Sequence, residues 1–166
     1  MVVNKGIRQF LFPSLTHSFL IRAGCVALLA YLVFGHLLIP FRIKGHSMEP
    51  AYQNGEFNFC WRFRHLFSKP KRGDVVVIRF TGQRVMLLKR VVALEGEVVE
   101  FRDGRLFING KKLDEPYIHK PYDWNLSPRQ VESDSVYVVG DNRSGPMQNH
   151  FFGQASLSRI LGDPLW

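Results

Sequence analysis

The longest apolar stretch of the chain runs from Phe19 to Ile39, with Arg22 near its start and His36 near its end. A helix of about 20 residues, rising about 1.5 Å per residue, covers the roughly 30 Å hydrocarbon layer of a bilayer. Arg22 lies about one turn in, so its long stem can carry the guanidinium to the headgroups. We expect a short tail over residues 1–15, a transmembrane anchor helix over 16–39 and a separate domain over 40–166.

A cleaved secretory signal sequence is the alternative interpretation of this stretch. Its apolar core usually has about 7–15 residues and precedes a small-x-small cleavage site, whereas this stretch is longer and lacks such a site. Positive charges on the two sides are nearly balanced, so they do not fix the orientation. An uncleaved anchor with a short tail predicts a cytosolic N-terminus and a domain on the trans side of the membrane.

Beyond Pro40, bulky and polar positions alternate at the period of β-strands. The predicted strands lie at 56–63, 74–80, 86–94, 98–102, 105–110 and 135–139. Asp103-Gly104 separates two of these runs and predicts a type I′ hairpin turn, in which both central residues need positive φ. The polar, proline-containing stretch 111–134 predicts an irregular excursion, and 156–162 predicts a short strand or helical turn. The domain is therefore expected to be mostly β, an irregular antiparallel fold.

The formal net charge of +8 has two explanations. Nucleic-acid binding would require a basic stripe interleaved with aromatic residues, or a known binding motif, and the sequence has neither. A domain lying on anionic lipid needs only basic residues close to the membrane. Such residues are Arg42, Lys44, Arg62, Arg64, Lys69, Lys71 and Arg72. We expect membrane lipid as a partner and no nucleic acid.

Ser47 and Lys89 are the candidate reactive pair. A serine hydroxyl is a weak nucleophile until a base takes its proton, and a lysine is a base only when neutral. Lowering a lysine pKa from about 10.4 to about 8 takes roughly 3–4 kcal/mol of bias against the ammonium, which burial can supply. In a strand, Leu87, Lys89, Val91 and Ala93 would share one otherwise apolar face. Lys89 alone could also be an edge-strand lysine and Ser47 a turn residue.

The position of Ser47 adds to this interpretation. If the anchor ends near Ile39, an extended linker keeps Ser47 within about 26 Å of the bilayer edge, where it could reach a peptide bond just outside a membrane-embedded segment. Gly45 would let a substrate backbone approach closely. His46 and His150 raise the question of a Ser/His/Asp triad, but His46 adjoins Ser47 and should point away, and His150 lacks a local motif.

The segment Gly140-Asp141-Asn142-Arg143 follows a predicted strand and could be an ordinary hairpin turn. Its carboxylate could instead pair with Arg90 or Arg143 and brace the site. The two cysteines, Cys25 in the anchor and Cys60 in a strand, are not expected to meet, and no His/Cys spacing indicates a metal site. We expect neither a metal nor a cofactor.

Together these residues resemble the type I signal peptidases, including the mitochondrial inner-membrane peptidases. Four blocks in the family's order carry the resemblance. They are Gly45 to Pro50, Arg72 to Val76, Lys89 to Val92 with Glu95-Gly96 behind it, and Gly140 to Arg143. The stretch from Val98 to Tyr117 is also similar to the family's hairpin region, with Asn109-Gly110 and Glu115-Pro116-Tyr117.

The resemblance implies a membrane-anchored serine endopeptidase that removes signal peptides from exported precursor proteins, cutting after small residues at −3 and −1. Ser47 would be the nucleophile, Lys89 the general base, and the N–H of Ser47 part of the oxyanion hole. Supporting roles would fall on Gly45, Arg90, Gly140, Asp141, Asn142 and Ser144, and substrate contacts on Met48 and Pro50. It also implies a single-pass protein of the bacterial cytoplasmic membrane in preference to the mitochondrial one, with the need for a partner subunit left open.

The chain departs from the family after Arg143. A serine often found near the lysine falls on Pro146, an acidic position on Gln148 and an arginine on His150. Another group, such as Ser144, would then orient Lys89. A serine that some members use as an oxyanion donor falls on Gly45, which has no hydroxyl. These departures leave a specialised pilin- or conjugation-type peptidase as an alternative.

Two further alternatives remain open. A self-cleaving Ser/Lys regulator of the LexA type would need a DNA-binding domain at the position where this chain has an apolar span. A catalytically inactive, membrane-anchored β module would bind export machinery or lipid. In that protein Ser47 and Lys89 would be incidental, so replacing either would leave its function unchanged.

Overall fold

The computed structural model describes residues 16–64, 67–79, 86–118 and 121–166. The chain divides into two compact units, of which the first ends at Leu37 and the second spans Leu38–Trp166. The tail predicted over residues 1–15 lies outside the described residues. The second unit contains every strand that the described residues form and all of the candidate reactive residues.

The first unit contains helix α1 (His17–Leu32), which continues as a π-helical turn over Val33–Leu37. Thr16 caps its start, because its side chain accepts a hydrogen bond from the N–H of Phe19. The 21 residues from His17 to Leu37 include an 18-residue window with a mean hydropathy of 1.9, and none of the 21 is buried within the protein. By length and composition this helix can cross a membrane. It ends before the expected 39, because Leu38 and Ile39 pair into a strand.

The second unit is built around a seven-stranded sheet. Its members, in spatial order, are β1 (Leu38–Arg42), β2 (Phe57–Trp61), β11 (Ile160–Pro164), β3 (Val75–Arg79), β4 (Met86–Ala93), β9 (Ser135–Val139) and β10 (Gly153–Ser156). All paired strands run antiparallel. Two 3₁₀ turns, Met147–Asn149 and Leu157–Arg159, flank β10. No α-helix other than α1 occurs in the described part of the chain.

A smaller four-stranded antiparallel sheet completes the unit. In spatial order it holds β7 (Lys111–Lys112), β6 (Arg105–Ile108), β5 (Val98–Arg102) and β8 (Leu126–Gln130). Asp103 and Gly104 join β5 to β6 with φ values of 48° and 73°, so the predicted hairpin turn is confirmed. The mostly antiparallel β fold that the sequence predicts is likewise confirmed.

Alternate residues of the central strands pack on opposite faces of the large sheet. Val77 of β3 joins an apolar cluster with Met48 and Leu88, whereas Val76 and Ile78 join a second cluster on the other face. A third cluster lies around Phe101 and Trp124 and holds the small sheet. These β-branched and aromatic side chains suit a pleated surface and bury it well, which explains why the short strands form.

Several elements differ from the sequence-based expectation, among them two edge strands and part of β4. β1 contains Pro40 and lies at the edge of the large sheet, while β8 contains Pro128 and lies at the edge of the small one. Proline is tolerated at sheet edges, so neither segment carries a clear strand signal. In β4 a bulge between Val91 and Ala93 shifts the register, and Ala93 packs with Val92 near the small sheet. The expectation that Ala93 shares the face of Lys89 was therefore wrong.

Candidate active site

Ser47 lies in a tight turn that follows β1. The N–H of Glu49 donates to the carbonyl of His46, and the N–H of Tyr52 donates to that of Met48. Met48 is only 2% exposed and anchors the turn in the core beside Val77 and Leu88. With the neighbouring Met48 side chain fixed in the interior, Ser47 is held half-buried at the surface.

The turn of Ser47 is clamped by residues that follow β9. The N–H of Asn142 donates to the carbonyl of Ser47 at 3.0 Å, and the Nδ2 of Asn142 donates to the carbonyl of His46 at 3.0 Å. Gly140 packs directly on the same backbone, since a Cβ atom at Gly140 would lie 2.2 Å from the Ser47 oxygen. Only glycine permits this approach.

Asp141, between these two clamp residues, carries an ion pair with Arg90 of β4. The Nε of Arg90 donates to Oδ1 of Asp141 at 2.8 Å, and its Nη2 donates to Oδ2 at 2.6 Å. Asp141 is 1% exposed and Arg90 is partly exposed, so this two-point pair is largely shielded from water and geometrically specific. Of the two partners expected for this carboxylate, Arg90 and Arg143, the structure selects Arg90.

Lys89 precedes Arg90 in β4 and is 3% exposed. Its side chain lines a groove together with Ile78, Leu87 and Val138. Burial lowers the pKa of Lys89 from 10.5 to about 8, although the charge of Asp141 opposes this change. Arg90, the neighbour of Lys89 in β4, and Ser47 both contact the loop 140–142, Arg90 through the Asp141 carboxylate and Ser47 through its own carbonyl.

The two residues predicted to contact substrate lie in different surroundings. Met48 lines a second groove, beside Ser47 and Gly45, although most of its side chain serves the core. Pro50 is exposed and does not line this groove. Gly45 has φ of 100°, which favours glycine, and its N–H donates to Oδ1 of Asn54.

The two histidines have partners other than the serine. Nδ1 of His46 lies 2.7 Å from Oε1 of Glu49, and the His46 side chain is mostly exposed. Nε2 of His150 contacts the carbonyl of Ser144, and its ring lies 4.8 Å from that of Trp124. These contacts hold both rings for structural purposes and give no support to a Ser/His/Asp triad.

Ser144 does not take the position expected for a group that orients Lys89. Its hydroxyl donates to Oδ1 of Asn142 at 2.6 Å, and its N–H donates to the same oxygen at 3.0 Å. Its single hydroxyl proton is thus used on Asn142. Ser144 supports the clamp on Ser47 instead of the lysine.

The sequence-based interpretation missed a buried network behind the clamp. Arg143 is 2% exposed. It donates through Nε to the carbonyl of Gly140 at 2.7 Å and through Nη2 to Oε1 of Glu115 at 2.6 Å. The hydroxyl of Tyr117 donates to Glu115, and the Arg90 guanidinium lies 4.1 Å from the Tyr117 ring centre. The Glu115-Pro116-Tyr117 motif was the available signal, but it lies in a stretch interpreted as irregular.

The positions that depart from the family form a local structure of their own. Pro146 precedes the 3₁₀ turn Met147–Asn149, and the Trp124 indole donates to the carbonyl of Gly145 at 2.9 Å. Trp124 therefore holds this segment from the small sheet's side. Among the described residues, no group of His, Cys, Asp and Glu side chains could hold a metal ion.

Comparison with known proteins identifies the family. The model of the family "Signal peptidase, peptidase S26" matches residues 16–165. A signal peptidase I of Leptolyngbya laminosa is 34% identical over 128 residues, or 72% of this chain and 63% of its own length. Signal peptidase I T of Bacillus subtilis (strain 168) is 31% identical over 153 residues, or 85% of this chain and 79% of its own.

A crystal structure of a signal peptidase I from Enterococcus faecalis V583 overlaps 58% of this chain and 97% of that chain, with 26% identity and a TM-score of 0.49. The family match includes the turn of Ser47, the strand of Lys89 and the loop 140–142. It therefore takes in every residue of the site described above. The chain belongs to the signal peptidase S26 family and, with it, to the serine endopeptidases.

Proposed function

We propose that this chain is a membrane-anchored endopeptidase that removes N-terminal signal peptides from exported precursors by means of a Ser47/Lys89 dyad. The observation that carries the proposal is the buried Lys89, whose pKa of about 8 leaves about a tenth of the amine neutral at pH 7 and about half of it neutral at pH 8. A neutral amine is what a lysine needs in order to act as a general base.

The surroundings of Lys89 suit this role. The side chains of Ile78, Leu87 and Val138 line its groove and disfavour the ammonium form. The charge of Asp141 opposes this effect, but the Asp141 carboxylate is also held in a two-point pair with Arg90. This arrangement supports a base that is poised near the working pH.

The clamp on Ser47 suits a nucleophile. Its backbone is fixed by Asn142 and by contact with Gly140, which leaves the hydroxyl on a rigid support. Ser47 N–H donates to no other described residue, so it is available to a substrate oxygen. We infer that this N–H contributes to the oxyanion hole, because a fixed donor is worth most where negative charge develops.

The reaction that we propose has two halves. Lys89 takes the proton of the Ser47 hydroxyl as Oγ attacks the scissile carbonyl, and the tetrahedral intermediate collapses as the ammonium returns that proton to the leaving amine. An ester on Ser47 remains. Water then attacks the ester, gives a proton to Lys89, and releases the signal peptide with a free carboxylate as Oγ regains its proton.

The groove beside Ser47 supports a preference for small side chains. We call it the serine groove; its apolar wall is formed by Phe41, Ile43, Met48, Val77, Met86, Leu87 and Leu88. Its volume is about 30 Å³, which leaves little room beyond a small side chain. An extended substrate with small residues at −3 and −1 would fit such a wall, since alternate side chains point the same way.

Membrane attachment rests on two features. The helix from His17 to Leu37 is long and apolar enough to span a bilayer. In the second unit, exposed or half-exposed aromatic side chains follow β2 and reach the C-terminus, namely Phe57, Phe59, Trp61, Phe63, Phe67 and Trp166. Aromatic side chains are favoured at lipid–water interfaces, so we propose that this surface contacts lipid on the trans side of a bacterial cytoplasmic membrane.

The test is a cleavage assay on detergent-solubilised wild type, Ser47→Ala and Lys89→Met, with Ser158→Ala as an exposed-serine control. The substrate carries an Ala-x-Ala site, and mass spectrometry reads the new N-terminus. We expect cleavage after the last Ala by wild type and the control only. Cleavage by either dyad variant at the wild-type rate would refute the dyad, and no cleavage by wild type would favour an inactive binding module.

A further inference from the structure

A second groove adjoins the serine groove at Leu87, which lines both. We call it the lysine groove; it is lined by Lys89, Leu87, Val138, Phe151, Arg79 and Arg159, among others, and has a volume of about 100 Å³. Its floor is apolar, whereas its rim carries two exposed guanidinium groups and the exposed Phe151 ring. Nothing in the dyad chemistry uses this basic rim.

The proposed reaction determines which part of a substrate reaches the lysine groove. The acyl half stays on Ser47, so the residues before the cut bond occupy the serine groove. The proton that Lys89 takes from Ser47 must be returned to the leaving nitrogen, which therefore lies near Nζ of Lys89. The chain that continues from that nitrogen leaves on the lysine side.

The two arginines at the rim of the lysine groove give it a positive charge that could select acidic substrate residues. Arg79 ends β3 and Arg159 ends the 3₁₀ turn Leu157–Arg159, so both guanidiniums project from ordered elements. Among the described residues, neither forms an ion pair with a carboxylate. Arginine presents a planar fork of donors that suits a carboxylate.

We propose that the lysine groove binds the first residues of the mature protein, and that Arg79 and Arg159 select substrates with an acidic side chain at the second or third residue after the cut. This inference rests on the proposed function. It adds a specificity determinant to the small residues required before the cut, because a precursor would be read on both sides of the scissile bond.

The test compares precursors with one Ala-x-Ala site that differ only in carrying Asp, Asn or Lys at the second or third residue after the cut. We expect kcat/KM to be about three- to tenfold higher for Asp than for Lys, as fits exposed charge pairs. The preference should shrink in high salt, because exposed charges are screened. Arg79→Glu combined with Arg159→Glu should reverse it, so that the Lys precursor is cut faster.

The reversal separates selection from structural damage, since a damaged enzyme would lose activity on all precursors. Arg105→Glu, an exposed arginine of β6 outside the groove, should keep the wild-type preference. Equal kcat/KM for Asp and Lys precursors in an active wild type would overturn the inference and leave the proposed function intact. A reversal by Arg105→Glu would also overturn the inference, because the net charge of the protein, and not the two arginines of the groove, would then explain the preference. Failure of wild type on every precursor would overturn both.

Discussion

Replacing Lys89 by Met should stabilise the protein at neutral pH while removing its activity. The pKa of Lys89 is lowered to about 8 by burial, against about 10.4 for a lysine in water, and this difference amounts to about 3 kcal/mol. That energy is the cost of burying the ammonium. At pH 7, below both pKa values, the lysine is mostly charged, so the free energy of unfolding is lowered by this full amount. Met has a similar length, fills the same space and carries no charge.

The gain has a defined pH dependence. Between the folded pKa and the unfolded one, the unfolded state binds more protons, so the wild type becomes more stable as pH rises. The advantage of Lys89→Met should therefore fall from about 3 kcal/mol at pH 7 to about 2 at pH 9 and about 1 at pH 10. Above the unfolded pKa it should vanish.

The assay is urea denaturation of both proteins in one detergent at these three pH values, with the difference in unfolding free energy as the readout. Lys111→Met, an exposed lysine of β7, is the control and should change stability by less than about 0.5 kcal/mol at any pH. A gain that does not change with pH would show that packing causes it. A loss of stability at pH 7 would refute the reasoning, because it would mean that the ammonium is well accommodated.

Three further predictions concern the residues around the dyad. The plot of kcat/KM against pH should rise through about pH 8, as Lys89 loses its proton. Because the Asp141 charge raises the pKa of Lys89, Asp141→Asn should move this rise to lower pH. An unmoved profile would exclude Lys89 as the titrating base. Gly140→Ala should reduce kcat by at least about 10²-fold with the circular dichroism retained, because the added Cβ displaces Ser47; wild-type activity would contradict the clamp. Glu115→Gln should lower stability by roughly 3 kcal/mol in thermal unfolding, because Arg143 loses its buried partner. Glu100→Gln, in a more exposed pair with Arg102, should cost less than about 1 kcal/mol. Equal losses of stability would show that burial of the Arg143–Glu115 pair does not matter.

Central strands rich in β-branched residues were predictable, whereas strands at the edges of the sheets were missed. β5 and β9 have the predicted bounds, because their β-branched residues mark a strand whose ends coincide with turn residues. β1 and β8 were missed since each contains a proline and lies at a sheet edge, where few side chains are buried. Edge strands are fixed by pairing with a neighbour, which a local pattern does not contain.

The site divides in the same way. Lys89 could be recognised because a charge in an apolar strand is a local anomaly. The Asp141–Arg90 pair was one of two options, and the sequence could not choose between them, because the choice depends on which strand lies beside β9. The role of Glu115 was not predictable, since it depends on the small sheet delivering a carboxylate to a residue 28 positions away.

Glu115 connects the small sheet to the chemistry. It holds Arg143, which binds the carbonyl of Gly140, and Gly140 touches the backbone of Ser47. Buried ion pairs seldom add net stability, but their geometry is strict. A loop that positions the proposed nucleophile needs such strict geometry more than it needs stability. Lys89 likewise needs a buried position, which costs stability, in order to act as the proposed base. Both features are therefore better explained by catalysis than by folding, which is why the stability and the activity of this site should respond in opposite directions to Lys89→Met.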